Sequence, residues 1–227
     1  MTPFTGFPAG ALGFFTELAA NQNREWFLAN KPRYETTIRD PMASLVGSLS
    51  LVLAVREIPL RGDAKTSLFR INRDVRFARD KKPYKTNIGA MLSRDGTKRS
   101  QGILYLHVAP EGCFAALGFY MPEPDQLGAL WAAIVARPES WRGIAAGLSL
   151  SREHLAARLP SGIEAPSDLH ETLRLKSFIT RLPLNPSDFS SLDVIDRIAA
   201  FAEAGRPLLD FGWHALSSLP PRREPKR

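Results

Sequence analysis

Two apolar runs separated by a short turn constrain this chain more than anything else in it. Ile103 to Val108 and Cys113 to Tyr120 are each of strand length, and Pro110-Glu111-Gly112 lies between them. Proline and glycine at that spacing make a tight reversal, so the two runs read as an antiparallel hairpin. Asn87 to Ser93 reads as a further strand, and Ser177 to Leu182 as another. The expected centre is therefore an antiparallel sheet of four to six strands.

Helical periodicity lies on both sides of these strands. Pro8 opens a first helix carrying Leu12, Phe15 and Leu18. Asn23 is an expected N-cap for a helix with Trp26 and Phe27, since a short polar side chain there satisfies an orphan backbone N–H. Pro32 kinks that helix or starts a new one, and Pro41 starts another. From there Met42, Leu45, Val46, Leu49, Val52 and Leu53 form one apolar face. Later helices are expected over Pro124 to Ala136, from Trp141 to Leu148, briefly after Leu155, and over Asp188 to Ala204 with an extension towards Leu216. The fold class is α+β, an antiparallel sheet packed against N-terminal and C-terminal helices. The expected organisation is one domain over 1–217 and a disordered basic tail over 218–227.

Several function classes are excluded at this level. The apolar stretches Leu45 to Val55 and Leu127 to Ala136 are too short to cross a membrane, so no membrane partner is expected. No positive segment followed by an apolar one opens the chain, and a cytoplasmic location is expected. Cys113 is the single cysteine, which removes internal disulfides, a CxxC redox pair and a cysteine zinc site. His107, His154, His170 and His214 have no metal-ligand spacing, so no metal site is expected. No phosphate-loop or dinucleotide motif is present, and no cofactor or protein partner is implied.

The charge is where the functional signal lies. The net charge is +7, but Arg61 to Arg99 alone holds twelve Lys and Arg against four Asp, a net of +8. The residues after Ser217 add +3, so the remainder is acidic by −4. Within Ser67 to Thr86, apolar Phe69, Ile71, Val75 and Phe77 alternate with Arg70, Asn72, Asp74 and Arg76, which reads as partly extended chain. Arginine forks suit bidentate recognition of phosphate or carboxylate. Arg70, Arg73 and Arg76 are the expected clamp, Asp74 and Asp80 orient them, and Lys81, Lys85 and Arg24 add positive field. Tyr84 is the expected proton donor, with Asp74 the carboxylate assigned to catalysis beside it. The expected partner is a small anionic ligand. Two alternatives stay open: a nucleic-acid module using the same stretch and the tail, and an Arg/Asp network that only braces the fold.

Phe69-Arg70-Ile71, Arg73-Asp74, Arg76-Phe77 and Pro83-Tyr84-Lys85-Thr86, taken in order with the motifs before and after them, resemble the domain-of-unknown-function 2461 family. The likeness begins at Phe4-Thr5-Gly6-Phe7-Pro8 and runs through Asn23-Arg24-Glu25-Trp26-Phe27. It is densest at Phe69-Arg70-Ile71, Arg73-Asp74, Arg76-Phe77 and Asp80-Lys81, then Pro83-Tyr84-Lys85-Thr86. It returns at Gly118-Phe119-Tyr120 with Pro122, and at Leu175-Lys176-Ser177-Phe178. Ser161 and Ile163 beside Gly162 depart from the basic and aromatic residues expected there. The resemblance implies kinship and no particular activity.

Overall fold

The computed structural model describes residues 2–220, so most of the expected basic tail lies outside the described residues. Four strands form one antiparallel sheet in the order β1-β2-β3-β4. They are β1 (Ile88–Ser93), β2 (Ile103–Val108), β3 (Cys113–Phe119) and β4 (Phe178–Leu184). The β2–β3 turn closes with the Gly112 N–H donating to the Ala109 carbonyl at 3.3 Å. In register, Tyr105 sits between Met91 on β1 and Ala116 on β3, and Ala116 faces Arg181 on β4.

Strand alternation divides the sheet into two faces. Ala90, Leu92, Leu104, Leu106, Val108, Ala115, Leu117 and Phe119 are fully buried beneath the helices. Ile103, Tyr105, His107 and Phe114 point the other way and are half-buried. The helices are α1 (Gly13–Ala20), α2 (Arg24–Tyr34), α3 (Asp40–Val55), α4 (Pro124–Ala136), α5 (Pro138–Ala146), α6 (His170–Leu173), α7 (Asp193–Ala204) and α8 (Arg206–Leu216). Helix α3 packs on β1 and α7, and α8 packs on β3 and α4. One buried cluster runs from Phe4 to Ala215 through both sets of helices.

Several local expectations change. Pro32 lies inside α2 and starts no new helix, whereas Pro41 stands in the first turn of α3 as expected, with the helical path continuous through both. A π-helical turn, Glu35–Arg39, joins α2 to α3 and widens the backbone just before Pro41, which has no N–H to donate. The continuous Arg24–Val55 helix is thereby long and apolar enough to match a membrane span, unlike the shorter run read from the sequence. Its Ile38, Met42, Leu45, Leu49 and Leu53 are buried in the core. Asn23 caps α2 as expected, its side-chain oxygen accepting from the Trp26 N–H at 2.9 Å. The first helix starts at Gly13 rather than Pro8, because Gly10 takes a left-handed φ of 74° that interrupts a helical path. No helix forms after Leu155. That segment instead pairs with the chain before β4, Leu155 opposite Leu175, and the Ala156 N–H donates to the Arg174 carbonyl at 2.7 Å. The C-terminal helix is two, parted at Gly205.

The stretch 69–77 is not a regular strand. Ser67 to Phe69 lies along the outer edge of β1, with Leu68 opposite Ala90 and the Phe69 N–H donating to the Gly89 carbonyl at 2.9 Å. Arg61 also bridges to Ser93 on that edge. Beyond, the chain folds back on itself as an irregular ribbon. The Lys85 N–H donates to Ile71 and the Arg73 N–H to Pro83, both at 2.8 Å. Pro83 lacks an N–H, and the charged tip prefers water to a ladder, so regular pairing stops there. The outer edge of β4 is covered likewise, by Leu150 opposite Thr180 and the Ser151 N–H on the Ile179 carbonyl at 2.8 Å.

Candidate functional site

The sheet face turned away from the helices holds a cavity of about 420 Å³. Its floor is made by small residues, Gly89, Ala116 and Gly118, and its walls by Phe69, Tyr105, Phe114 and Tyr120. Lys85, Asn87 and Arg181 supply polar groups at the margin. The small residues are required by space. A Cβ on Gly89 would fall 2.6 Å from the Tyr105 hydroxyl oxygen, and one on Gly118 would fall 2.0 Å from the Phe178 carbonyl oxygen. Gly118 also has φ 128°, a conformation that side chains other than glycine's hydrogen rarely accept.

The aromatic walls form a connected set. Phe69 meets Tyr105 edge-on at 5.9 Å, and Tyr105 meets Phe114 at 5.9 Å. His107 stacks on Phe114 at 4.8 Å, and its Nδ1 lies 3.2 Å from the Tyr105 hydroxyl. Burial raises the Tyr105 phenol above its usual value, with Tyr120 adding to the effect. Burial, only partly offset by Glu111, holds the His107 imidazole below its usual value. Both groups are therefore neutral near pH 7, and the Tyr105 hydroxyl can donate to an unprotonated Nδ1. Tyr105 lines the cavity and His107 stands behind it, so the pair can pass a proton between a cavity hydroxyl and the ring outside.

Positive charge gathers at one side. Lys85 Nζ stands 5.7 Å from the centre of the Phe69 ring and Lys98 Nζ stands 4.9 Å from it. Burial lowers the Lys85 ammonium from its usual value, and Arg70 nearby lowers it further. Burial likewise lowers Lys98, and Lys85 adds to it. Lys98 donates to the Leu68 carbonyl. Among the described residues, neither lysine nor Arg70 is paired with a carboxylate at salt-bridge distance. On the opposite margin Arg181 pairs with Glu153 and lies 5.1 Å from the Phe114 ring centre.

The residues singled out in the sequence are divided between this cavity and the ribbon tip. Lys85 lines the cavity, and Arg70 acts on it electrostatically from an exposed position. Arg73 is held inside the ribbon, donating to Asp80 at 2.8 Å and to the Lys82 carbonyl at 3.2 Å. Arg76 forks onto Asp74, Nε to Oδ1 at 3.0 Å and Nη2 to Oδ2 at 2.7 Å. Lys81 donates to the Val75 carbonyl at 3.0 Å. These ion pairs hold the carboxyls of Asp80 and Asp74 below their usual values, chiefly by hydrogen bonds from Arg73 and Arg76 respectively. The three arginines thus do not converge on one point. Tyr84 is a core residue, 6% exposed and stacked on Phe27 at 4.4 Å, with its N–H donating to Gln22 Oε1 at 3.1 Å. Arg24 is exposed in the first turn of α2 and lines no part of the cavity.

Phe77, which the alternation would turn inward, is instead 96% exposed at the ribbon tip. Tyr105, Phe114, Lys98 and Arg181 were not distinguished in the sequence. Their signal was register: once β2 and β3 pair across Pro110-Glu111-Gly112, Tyr105 and His107 share a face with Phe114. Cys113 is buried, its Sγ 3.4 Å from the Ala109 carbonyl, and burial pushes its thiol up, away from nucleophilic use. Among the described residues, no three His, Cys, Asp or Glu side chains gather where they could hold a metal ion.

Comparison with known proteins yields one match. Residues 10–211 fit the model of a family described as conserved hypothetical protein, DUF2461. No curated protein and no solved structure matches the chain.

Proposed function

The chain belongs to the DUF2461 family, and because that membership brings no activity with it, we propose from the site alone that the protein binds a small anion with a flat apolar body in the sheet-face cavity. The observation that carries this reading is the pair of lysines at the Phe69 ring. Two ammonium groups, that of half-buried Lys85 and that of exposed Lys98, stand 5.7 and 4.9 Å from one ring centre without a carboxylate partner among the described residues, and repel each other. Their charged forms are disfavoured where they stand, and an entering phosphate or carboxylate reverses both effects. The cavity volume of about 420 Å³ suits a ligand of nucleotide or aryl-phosphate size. Phe69, Tyr105 and Phe114 offer ring faces and edges to its body, and Asn87 offers both a donor and an acceptor.

This reading keeps Lys85 and Arg70 from the basic segment and adds Lys98. Arg73, Arg76 and Lys81 are engaged within the ribbon, so their part is to hold its shape. Tyr105 with His107 takes the place of Tyr84 as the group able to move a proton beside the ligand.

Thermal melting with a ligand panel tests the proposal. The panel sets aryl phosphates, nucleoside monophosphates and aromatic carboxylates against inorganic phosphate and uncharged aromatics. A ligand at a hundred times its Kd stabilises by about 2.7 kcal/mol, which raises the midpoint of a chain this size by roughly 5–10 °C. The expected shift needs both ring and anion, and disappears in Lys85→Met. Equal shifts with inorganic phosphate alone, or none with any member, would rule the reading out.

A further inference from the structure

We propose that the tip of the basic ribbon is a docking surface for single-stranded nucleic acid, with Phe77 as a stacking platform. This surface lies apart from the sheet-face cavity and shares with it only Arg70, whose field reaches both Lys85 and Asp74.

Phe77 is a large apolar side chain at 96% exposure, the most exposed of its kind in the described chain. No core contact explains its presence there. The ring is not simply adrift, because its neighbour is built. Arg76 lies over it with the guanidinium carbon 5.9 Å from the ring centre, and Arg76 is itself gripped by both oxygens of Asp74. Asp74 thus fixes Arg76 beside the Phe77 ring, which itself stands almost wholly in solvent. Below it, Lys81 donates to the Val75 and Arg76 carbonyls and Arg73 to Asp80, which fixes the backbone that carries them. Arg70, Arg79 and Lys82 are exposed around it and, among the described residues, have no carboxylate partner at salt-bridge distance.

Charge decides the class of occupant. Arg70 to Lys85 carries seven Lys and Arg against two Asp, so the partner is an anion of many repeats. A flat ring backed by a guanidinium meets a nucleobase face to face, and such stacking tolerates any base. A duplex hides its base faces, so the strand must be single. An anionic bilayer satisfies the charge but not the geometry. One phenylalanine with half-buried Val75 and Ala78 offers too little apolar surface for insertion.

The test uses the full chain and a fluorescently labelled single-stranded DNA dodecamer, read by anisotropy. The same sequence as a duplex and vesicles of phosphatidylserine with phosphatidylcholine run beside it. The expected result is binding of the single strand, with a log–log salt slope of about −2 if the three unpaired cations meet phosphates. Phe77→Ala weakens it by about tenfold and Phe77→Trp restores it, since one base stack is of that order. Phe77 lies in solvent, so neither variant disturbs the fold. Failure to bind the strand, equal or tighter binding of the duplex, indifference to Phe77→Ala, or Phe77-dependent capture by vesicles alone would each overturn the proposal. None of these outcomes bears on small-anion binding in the cavity, which the melting panel reads separately.

Discussion

Lys85 and Lys98 approach one aromatic ring, Phe69, with their ammonium nitrogens 5.7 and 4.9 Å from its centre. Each is held below the ordinary lysine value, first by burial and then by a neighbouring cation, Arg70 for Lys85 and Lys85 for Lys98. A bound anion favours the charged forms and raises both values again. Affinity for an anion in the cavity should therefore be full near neutral pH. It should fall as the pH rises through the lysines' lowered range, short of the ordinary 10.5. Binding in that alkaline range should also take up protons, readable by calorimetry in buffers of different ionisation enthalpy. Affinity that stays level from neutral pH to beyond the lysine range would remove these two groups from the site.

Gly118 is the most demanding backbone position around the cavity. A methyl group there would overlap the Phe178 carbonyl, at 2.0 Å, and would force φ 128° on a residue with a side chain. Gly118→Ala should lower the unfolding free energy by about 2–4 kcal/mol in urea, through strain that only a shift of β4 can relieve. Wild-type stability in this variant would mean that β4 moves away freely.

Tyr84 separates a packing role from a chemical one. Its ring stacks on Phe27 at 4.4 Å, and its hydroxyl makes no hydrogen bond among the described residues. Tyr84→Phe should leave stability and ligand response as they are. Tyr84→Ala should cost about 3 kcal/mol or more by emptying a buried site. A stable Tyr84→Phe protein that has lost its ligand response would restore Tyr84 as a proton donor.

The Arg73–Asp80 pair, at 2.8 Å, belongs to the ribbon and not to the core. Pairs this open to water add little to global stability. Asp80→Asn should leave the urea midpoint unchanged but speed tryptic cleavage after Arg76, Arg79 and Lys81, because the tip loses its internal tie. A clear fall in the midpoint would instead make the Arg/Asp network a brace for the whole fold.

The two kinds of periodicity made most of the architecture readable. Pro110-Glu111-Gly112 between apolar runs set the β2–β3 pairing, and the Met42 to Leu53 stripe marked the central helix. What failed had local signals that another part of the molecule overruled. Pro32 reads as a kink or a new helix start, yet it stands inside α2. Phe77 alternates with Arg76 as a strand residue would, yet no sheet neighbour exists for it beyond Pro83. The cavity was half legible. Lys85 and Arg70 stood out by charge, whereas Tyr105, Phe114 and Arg181 meet only through strand register, which no short motif records.

Both borders of the sheet are sealed by irregular chain, Arg61 and Leu68 on β1 and Leu150 and Ser151 on β4. A four-stranded sheet with bare borders would offer rows of unmet N–H and C=O groups to any other copy. Here four bonds on the β1 border and one on the β4 border already engage such groups, through segments too uneven to template another strand. The same sealing makes the borders a point of weakness under stress. Conditions that peel Arg61 to Phe69 from β1 would uncover Ile88 to Ser93, an apolar strand with no charged side chain. Self-association of this protein would then begin at that edge, well before the core itself came apart.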